Sequence, residues 1–159
     1  MYTTEENKIC PIINAGSYHS AGKKSAGVRV GRAHHVTVII SAAAQTDGNA
    51  RITTWTGTTH DADNTASIIK PPVYGNGAAP EVAAADTFTA VSYVDSANYW
   101  LLPATDNRTY VIEIPGQMIP AGHDWLGINI GDEGAGTAIN LVVAIVYPRY
   151  KPSQSVMRS

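Results

Sequence analysis

The chain has 159 residues and a formal net charge of −2 at pH 7, and only 15% of its residues are charged. This length is typical of one domain, and an average domain has about 25% charged residues. The composition therefore argues against a strongly basic nucleic-acid-binding surface and favours a protein whose neutral surface packs against neighbours.

The first half of the chain shows an alternation of apolar and polar residues with a period of two, which is typical of half-buried strands. Residues 12–19 and 28–30 are short candidate strands. Residues 34–41 and 51–57 are longer ones, and the turn at residues 46–50 predicts that they form a hairpin. Residues 65–69 are a further short candidate, and residues 87–94 alternate as one strand.

The second half continues this pattern at residues 109–114 and 126–130, with a hairpin turn predicted at residues 131–134. Residues 139–147 are almost continuously apolar, which predicts a central strand covered on both faces.

The sequence has few helix signals. Residues 80–86 favour a turn or two of helix after Pro80, and residues 115–122 predict a structured corner bounded by Pro and Gly.

These elements predict an all-β fold, an antiparallel β-sandwich or jelly roll of seven to nine strands with little helix. We expect a single domain over residues 1–159, with extended tails at about residues 1–11 and 148–159.

No segment predicts catalytic, cofactor-binding or metal-binding residues, so the expectation is that the chain is not an enzyme. His34 and His35 are adjacent on a strand and point to opposite faces, so they do not share one ion. Residues 60–64 resemble a calcium loop but lack its glycine and its bidentate glutamate. Residues 131–136 are rich in glycine, but their acidic side chains would repel a phosphate.

Aromatic side chains leave two interpretations open. The three tryptophans and eight tyrosines would suit a sugar-binding face, whereas packing within the sheets is the commoner role of Trp55 and Trp125. Tyr99 and Trp100 belong to an apolar segment at residues 99–103, which is either an exposed interface knob or part of the core.

Cys10 is the single cysteine and cannot form an internal disulfide. The first residues have no basic leader or apolar run, so we expect no signal peptide. The longest apolar stretch, residues 141–147, is too short to cross a bilayer. The expectation is a soluble chain without membrane contact.

Charge is unevenly distributed. Residues 1–32 have five basic and two acidic side chains (+3), residues 33–146 have three and eleven (−8), and residues 147–159 have three and none (+3). Either the basic ends dock onto an acidic partner, or they are solvated tails. Because Tyr and Arg are frequent interface anchors, the predicted interface residues are Tyr147, Pro148, Arg149, Tyr150, Lys151, Tyr99 and Trp100.

Four segments together resemble small structural proteins of tailed bacteriophages, some of which are head decoration or cement proteins. These segments are residues 31–40, 110–114, 125–130 and 143–150, and the ending Pro148-Arg149-Tyr150 is the most specific of them. The resemblance extends from about residue 20 to residue 155, and residues 69–86 depart from it.

The resemblance implies a capsid decoration protein that binds the major capsid protein on the outside of the head, as a homo-oligomer with a trimer favoured. It implies assembly in the host cytoplasm and no catalytic residue. No nucleic-acid partner is expected either, because three charges at an end of the chain do not make a nucleic-acid-binding arm. Two alternatives stay open: another virion component, such as a head–tail connector, tail tube or tail-tip subunit, or a carbohydrate-binding β-sandwich module.

Overall fold

The computed structural model describes residues 7–13, 16–18, 23–25, 27–42, 50–60, 67–76, 87–95, 98–102, 108–132 and 137–148. These residues form fourteen strands: β1 (Lys8–Ile13), β2 (Gly16–Tyr18), β3 (Lys23–Lys24), β4 (Val28–Arg29), β5 (Ala33–Ala42), β6 (Ala50–Gly57), β7 (Ser67–Ile69), β8 (Val73–Asn76), β9 (Phe88–Ala90), β10 (Tyr93–Val94), β11 (Tyr99–Leu102), β12 (Arg108–Pro115), β13 (Trp125–Asp132) and β14 (Thr137–Pro148).

The first sheet has the strand order β1-β14-β5-β12-β8-β9, and β2 also pairs with β14. All of these pairs are antiparallel, with Val142 opposite Ile40 and Ile40 opposite Tyr110. Because β5 and β14 are rich in β-branched residues, they fit the pleated surface of a sheet centre. The long pairing of β5 with both β12 and β14 therefore forms the body of this sheet.

The second sheet has the order β10-β11-β6-β13-β3, while β4 pairs with β13 and β7 pairs with β6. The buried hydroxyl of Ser25 anchors the edge, since Ser25 Oγ accepts a hydrogen bond of 2.8 Å from the backbone N–H of Ile128. The backbone N–H of Ser25 in turn donates to the carbonyl of Ile128 at 2.8 Å. This reciprocal pair continues the ladder between the short strands β3 and β4.

The hydrophobic core lies between the two sheets and is formed by the inward side chains of both. The first sheet contributes Val36, Val38, Ile40, Tyr110, Ile112, Ile114, Val142, Ala144 and Val146, and the second contributes Ile52, Trp100, Leu102, Leu126, Ile128 and Ile130. Burial raises the pKa of Tyr110, and the nearby Arg108 opposes this effect. The fold is thus an antiparallel β-sandwich, as the sequence predicts.

Helix is nearly absent from the described residues, which confirms the expectation of an all-β chain. A 3₁₀ turn at Gly116–Met118 forms the corner predicted at residues 115–122. The helix predicted at residues 80–86 lies outside the described residues. Within the described ranges, no helix reaches the length and hydropathy needed to cross a bilayer.

The predicted number of strands is too low. Eight of the fourteen strands have four residues or more, and six have only two or three. Such short strands leave no clear period in the sequence. The predicted strand at residues 87–94 is two strands, because β9 pairs in the first sheet and β10 in the second.

Both hairpin predictions are wrong. β5 belongs to the first sheet and β6 to the second, so the chain crosses between sheets where the turn at residues 46–50 was expected to join paired strands. The chain crosses again between β13 and β14, around the turn expected at residues 131–134. A turn pattern shows where a strand ends but not which sheet receives the next strand.

The N-terminal tail predicted at about residues 1–11 extends too far into the chain. Residues 8–11 belong to β1, an edge strand paired with β14, where Pro11 is tolerated because an edge strand has one side without ladder bonds. At the other end, β14 includes Pro148, which pairs with Ala33. Residues 149–159 lie outside the described residues.

Candidate functional site

The outward side of the first sheet carries an unbroken apolar row. The register places Val143 opposite Ile39, Ile39 opposite Val111, and Val111 opposite Tyr74. The row continues at both ends, because Pro11 pairs with Val143 and Ala90 with Tyr74. Six strands therefore contribute one apolar side chain each to a row that runs across the sheet.

Further apolar side chains flank this row on the same side. Ile9 lies opposite Ile145, and Leu141 lies one alternation before Val143 on β14. The exposed fractions of Ile9, Tyr74 and Leu141 are 44%, 38% and 39%. We call this surface the outer face; it comprises Ile9, Pro11, Thr37, Ile39, Ser41, Tyr74, Ala90, Thr109, Val111, Glu113, Leu141, Val143 and Ile145.

The outer face corrects the prediction that residues 139–147 are covered on both sides. Burial alternates along β14: Val142, Ala144 and Val146 are buried in the core, whereas Val143 and Ile145 between them are half-buried. In most antiparallel sandwiches the solvent side of a strand is polar. The continuous apolar pattern therefore reports a second apolar surface that no other part of the described chain covers.

A polar cluster lies at one margin of the outer face. Glu113 is directly opposite Thr37, and Thr37 Oγ1 donates a hydrogen bond of 3.0 Å to Glu113 Oε2. His35 Nε2 contacts the same carboxylate oxygen. The ring of Tyr147, opposite His35 on β14, lies 5.8 Å from the imidazole, measured between ring centroids. These contacts hold the one carboxylate of the outer face in a fixed position.

The polar cluster orients side chains but has no evident nucleophile. The Thr37 hydroxyl donates to the carboxylate, and His35 is the second partner of that carboxylate rather than a base beside a nucleophile. Within the described ranges, no group of three or more His, Cys, Asp or Glu side chains is arranged to hold a metal ion.

The second sheet presents a different outward side. Trp55 is 1% exposed and lies over Gly127, its direct cross-strand neighbour. Trp125 is half-buried, and its ring lies 5.9 Å from that of His60. Tyr99 is also half-buried, and the Arg51 guanidinium lies 4.8 Å from its ring centroid. Two aromatic side chains are thus partly accessible on this side.

A cavity of about 310 Å³ opens between the edge of the first sheet and the start of β13. It is lined by Lys8, Cys10, Pro11, Ile12, Gly27, Val28, Arg29 and Trp125. Most of this lining is apolar, with the cations Lys8 and Arg29 in it.

The predicted interface residues do not form one surface. Tyr147 and Pro148 are half-buried at the end of β14 in the first sheet, and Tyr99 is half-buried in the second. Trp100 is only 2% exposed and packs in the core, because its strand β11 alternates and Trp100 faces inward. The exposed-knob interpretation is therefore wrong for Trp100. Arg149, Tyr150 and Lys151 lie outside the described residues.

The outer face itself was not predicted from the sequence. Its signal is present, because β5, β12 and β14 have apolar residues at both alternating positions. The pairing that aligns Val143, Ile39 and Val111 in one row joins strands far apart in the sequence, so it is visible only in the fold. The polar cluster was missed for the same reason.

Comparison with known proteins does not place the chain in a family: no family model, no curated protein and no solved structure matches it. The features of the chain that bear on its function are therefore the outer face and the low content of charged residues.

Proposed function

We propose that the chain is a virion structural protein, a capsid decoration protein that binds the outside of a tailed-phage head and stabilises it. The single observation that carries the assembly of this chain with other protein subunits is the outer face, a row of apolar side chains across six strands on a chain with 15% charged residues. Exposed apolar surfaces of this extent mark protein–protein contacts. The resemblance to small structural proteins of phages points to the phage head as the particle on which these protein–protein contacts form.

The proposed attachment to the major capsid protein uses the segment after β14. Tyr147 and Pro148 lead from the polar cluster into residues 149–159, which contain Arg149, Lys151 and Arg158 and no acidic residue. The sequence of this segment also contains Pro152, and proline has no backbone N–H to donate to a neighbouring strand. Arg149 and Tyr150 would each contribute on the order of 1–3 kcal/mol if fully desolvated on the capsid.

Decoration also fits the energetics of assembly. A protein that binds only the assembled head stabilises it by mass action, and many identical sites multiply the effect of modest individual affinities. Another virion component, such as a connector, tail tube or tail-tip subunit, is the nearest alternative. Electron microscopy of particles carrying a labelled chain separates the two, because decoration covers the head evenly and a tail component does not.

A carbohydrate-binding module is the second candidate, and the half-buried Trp125 and Tyr99 on the second sheet favour it. It has less support than the first, because Trp55 and Trp100 are 1% and 2% exposed and offer no stacking platform. A glycan array tests this candidate directly. Binding that is lost in a Trp125→Ala variant would favour this function.

The decisive experiment is attachment to heads that lack their own copy of the protein. A variant without residues 149–159 keeps every described strand, so it should fold and yet co-sediment with heads at low occupancy. The matched control is Arg32→Ala, which removes one exposed basic side chain from a turn and should bind like the full-length chain. If the truncated chain occupied heads as fully as the complete one, attachment through residues 149–159 would be excluded.

A further inference from the structure

We propose that the outer face binds a second copy of this chain, so that two sandwiches pack face to face across a two-fold axis running along the apolar row. The row is defined above by Pro11, Val143, Ile39, Val111, Tyr74 and Ala90. The inference deepens the proposed function by naming one partner of the outer face. It rests on the face being a protein–protein surface and not on the virus particle.

Symmetry provides the main argument. Rotation about an axis along the row places each row residue opposite its own counterpart. On β14, β5 and β12 it also exchanges the outer-face residues two positions before and after the row. On β14 this brings Ile145 opposite Leu141 of the second copy. An apolar side chain thus meets an apolar side chain, as a closed isologous interface requires.

The polar side chains of the outer face also meet compatible side chains of the second copy. On β5 the exchange brings Thr37 opposite Ser41 of the second copy, so a hydroxyl meets a hydroxyl. On β12 it brings Glu113 opposite Thr109 of the second copy, so the single carboxylate of the face meets a hydroxyl that donates hydrogen bonds. No like charges meet among these positions. The outer face is therefore complementary to itself on all three central strands.

The area suits a small, reversible dimer interface. The thirteen side chains of the outer face lie on strands about 4.8 Å apart and recur about every 6.7 Å along a strand, so each occupies about 32 Å². This gives about 420 Å² per copy and about 840 Å² in total, which is in the size range of weak, transient complexes. The separation of two packed sheets, about 10 Å, leaves room for one layer of side chains from each copy.

A trimer, which the resemblance implies, would need two different complementary patches on each copy. Neither a trimer interface nor an unrelated partner would require Leu141 to match Ile145, or Ser41 to match Thr37, in polarity. It follows directly from packing against an identical face. The self-complementarity of the outer face therefore favours a two-fold pair.

The test introduces opposite charges at two positions that face each other only across a two-fold interface. Ile145→Lys and Leu141→Glu, each alone, place a charge opposite an apolar side chain of the second copy and should weaken dimerisation at least tenfold. The double variant pairs each new lysine with a new glutamate across the axis, so it should recover most of the affinity. Within one chain the two positions lie about 13 Å apart along β14 and do not pair with each other.

The measurement is the molar mass of the full-length chain by sedimentation over a range of concentrations, without virus particles. The control is Ile68→Glu on β7, where the wild-type side chain is 46% exposed but belongs to the second sheet; it should dimerise like the wild type. A monomer at all concentrations, a trimer, or a double variant as weak as the single variants would each overturn the proposal.

Circular dichroism of every variant shows whether it is folded, and recovery in the double variant excludes misfolding as the cause of the single-variant losses. Because no capsid is present, failure of this test leaves the attachment experiment with heads unaffected. Loss of head binding by the truncated chain, in turn, does not bear on the dimer.

Discussion

Gly127 lies directly opposite Trp55 on the second sheet, and its lack of a side chain makes room for the indole. A Cβ atom at Gly127 would lie 2.1 Å from Trp55 Cζ2, which is far inside van der Waals contact. The same arrangement recurs in the first sheet, where a Cβ at Gly75 would lie 2.6 Å from the Tyr110 ring. In both sheets a large buried aromatic side chain occupies the space above a glycine of the neighbouring strand.

Gly127→Ala should lower the free energy of unfolding by about 1–3 kcal/mol, because Trp55 is buried and the strand or the indole has to shift. Urea denaturation followed by tryptophan fluorescence measures this change. Gly131→Ala is the control on the same strand, since its Cβ would meet its nearest neighbour, Arg51 Cβ, at an ordinary 3.5 Å. We expect a change within about 0.5 kcal/mol there. Equal effects at the two positions would contradict the steric explanation.

The strand β6 is held in the second sheet by threonine side chains as well as by the ladder. Thr54 is fully buried, and its Oγ1 donates a hydrogen bond of 2.7 Å to the carbonyl of Ile69 on β7. Thr56 Oγ1 lies 2.9 Å from His123 Nδ1. Threonine thus provides both the β-branched shape that a strand favours and a partner for polar groups near the core.

Thr54→Val keeps the shape of the side chain but removes its donor, so it should lower the free energy of unfolding by about 1–3 kcal/mol. The neighbouring Thr53→Val is the control, because its hydroxyl makes only an exposed contact of 3.5 Å with the carbonyl of Asn98. That change should stay within about 0.5 kcal/mol. Thermal or urea unfolding of both variants decides the point, and a larger loss at Thr53 would refute it.

Long strands with regular alternation are the elements that sequence reasoning predicts. β5, β6, β12 and β13 lie where the period of two places them, because each buries one face and the hydrophobic pattern records it. The assignment of strands to sheets is not local information. The turn before Arg51 has the composition of a hairpin, yet β5 and β6 lie in opposite sheets. The same limit hid the outer face, whose rows join strands distant in sequence.

Across the whole molecule, charge separates two kinds of contact. The outer face contains one formally charged side chain, Glu113, and it is already engaged by Thr37 and His35. Residues 147–159, in contrast, carry a charge of +3 on a chain whose middle part, residues 33–146, carries −8. The proposed dimer would then depend on apolar burial, and the proposed head attachment on electrostatic attraction. These two forces respond differently to salt.

Salt should therefore affect the two contacts in different ways. Raising NaCl from about 0.05 to about 0.5 M shortens the screening length several-fold and should weaken head attachment through the basic segment. The dimer dissociation constant should change less than about threefold over the same range, and sulfate should lower it, because excluded salts strengthen apolar burial. Sedimentation of the free chain and co-sedimentation with heads give the two affinities in the same buffers. A dimer that dissociates as NaCl rises would mean that charged groups, rather than the apolar row, hold the two copies together.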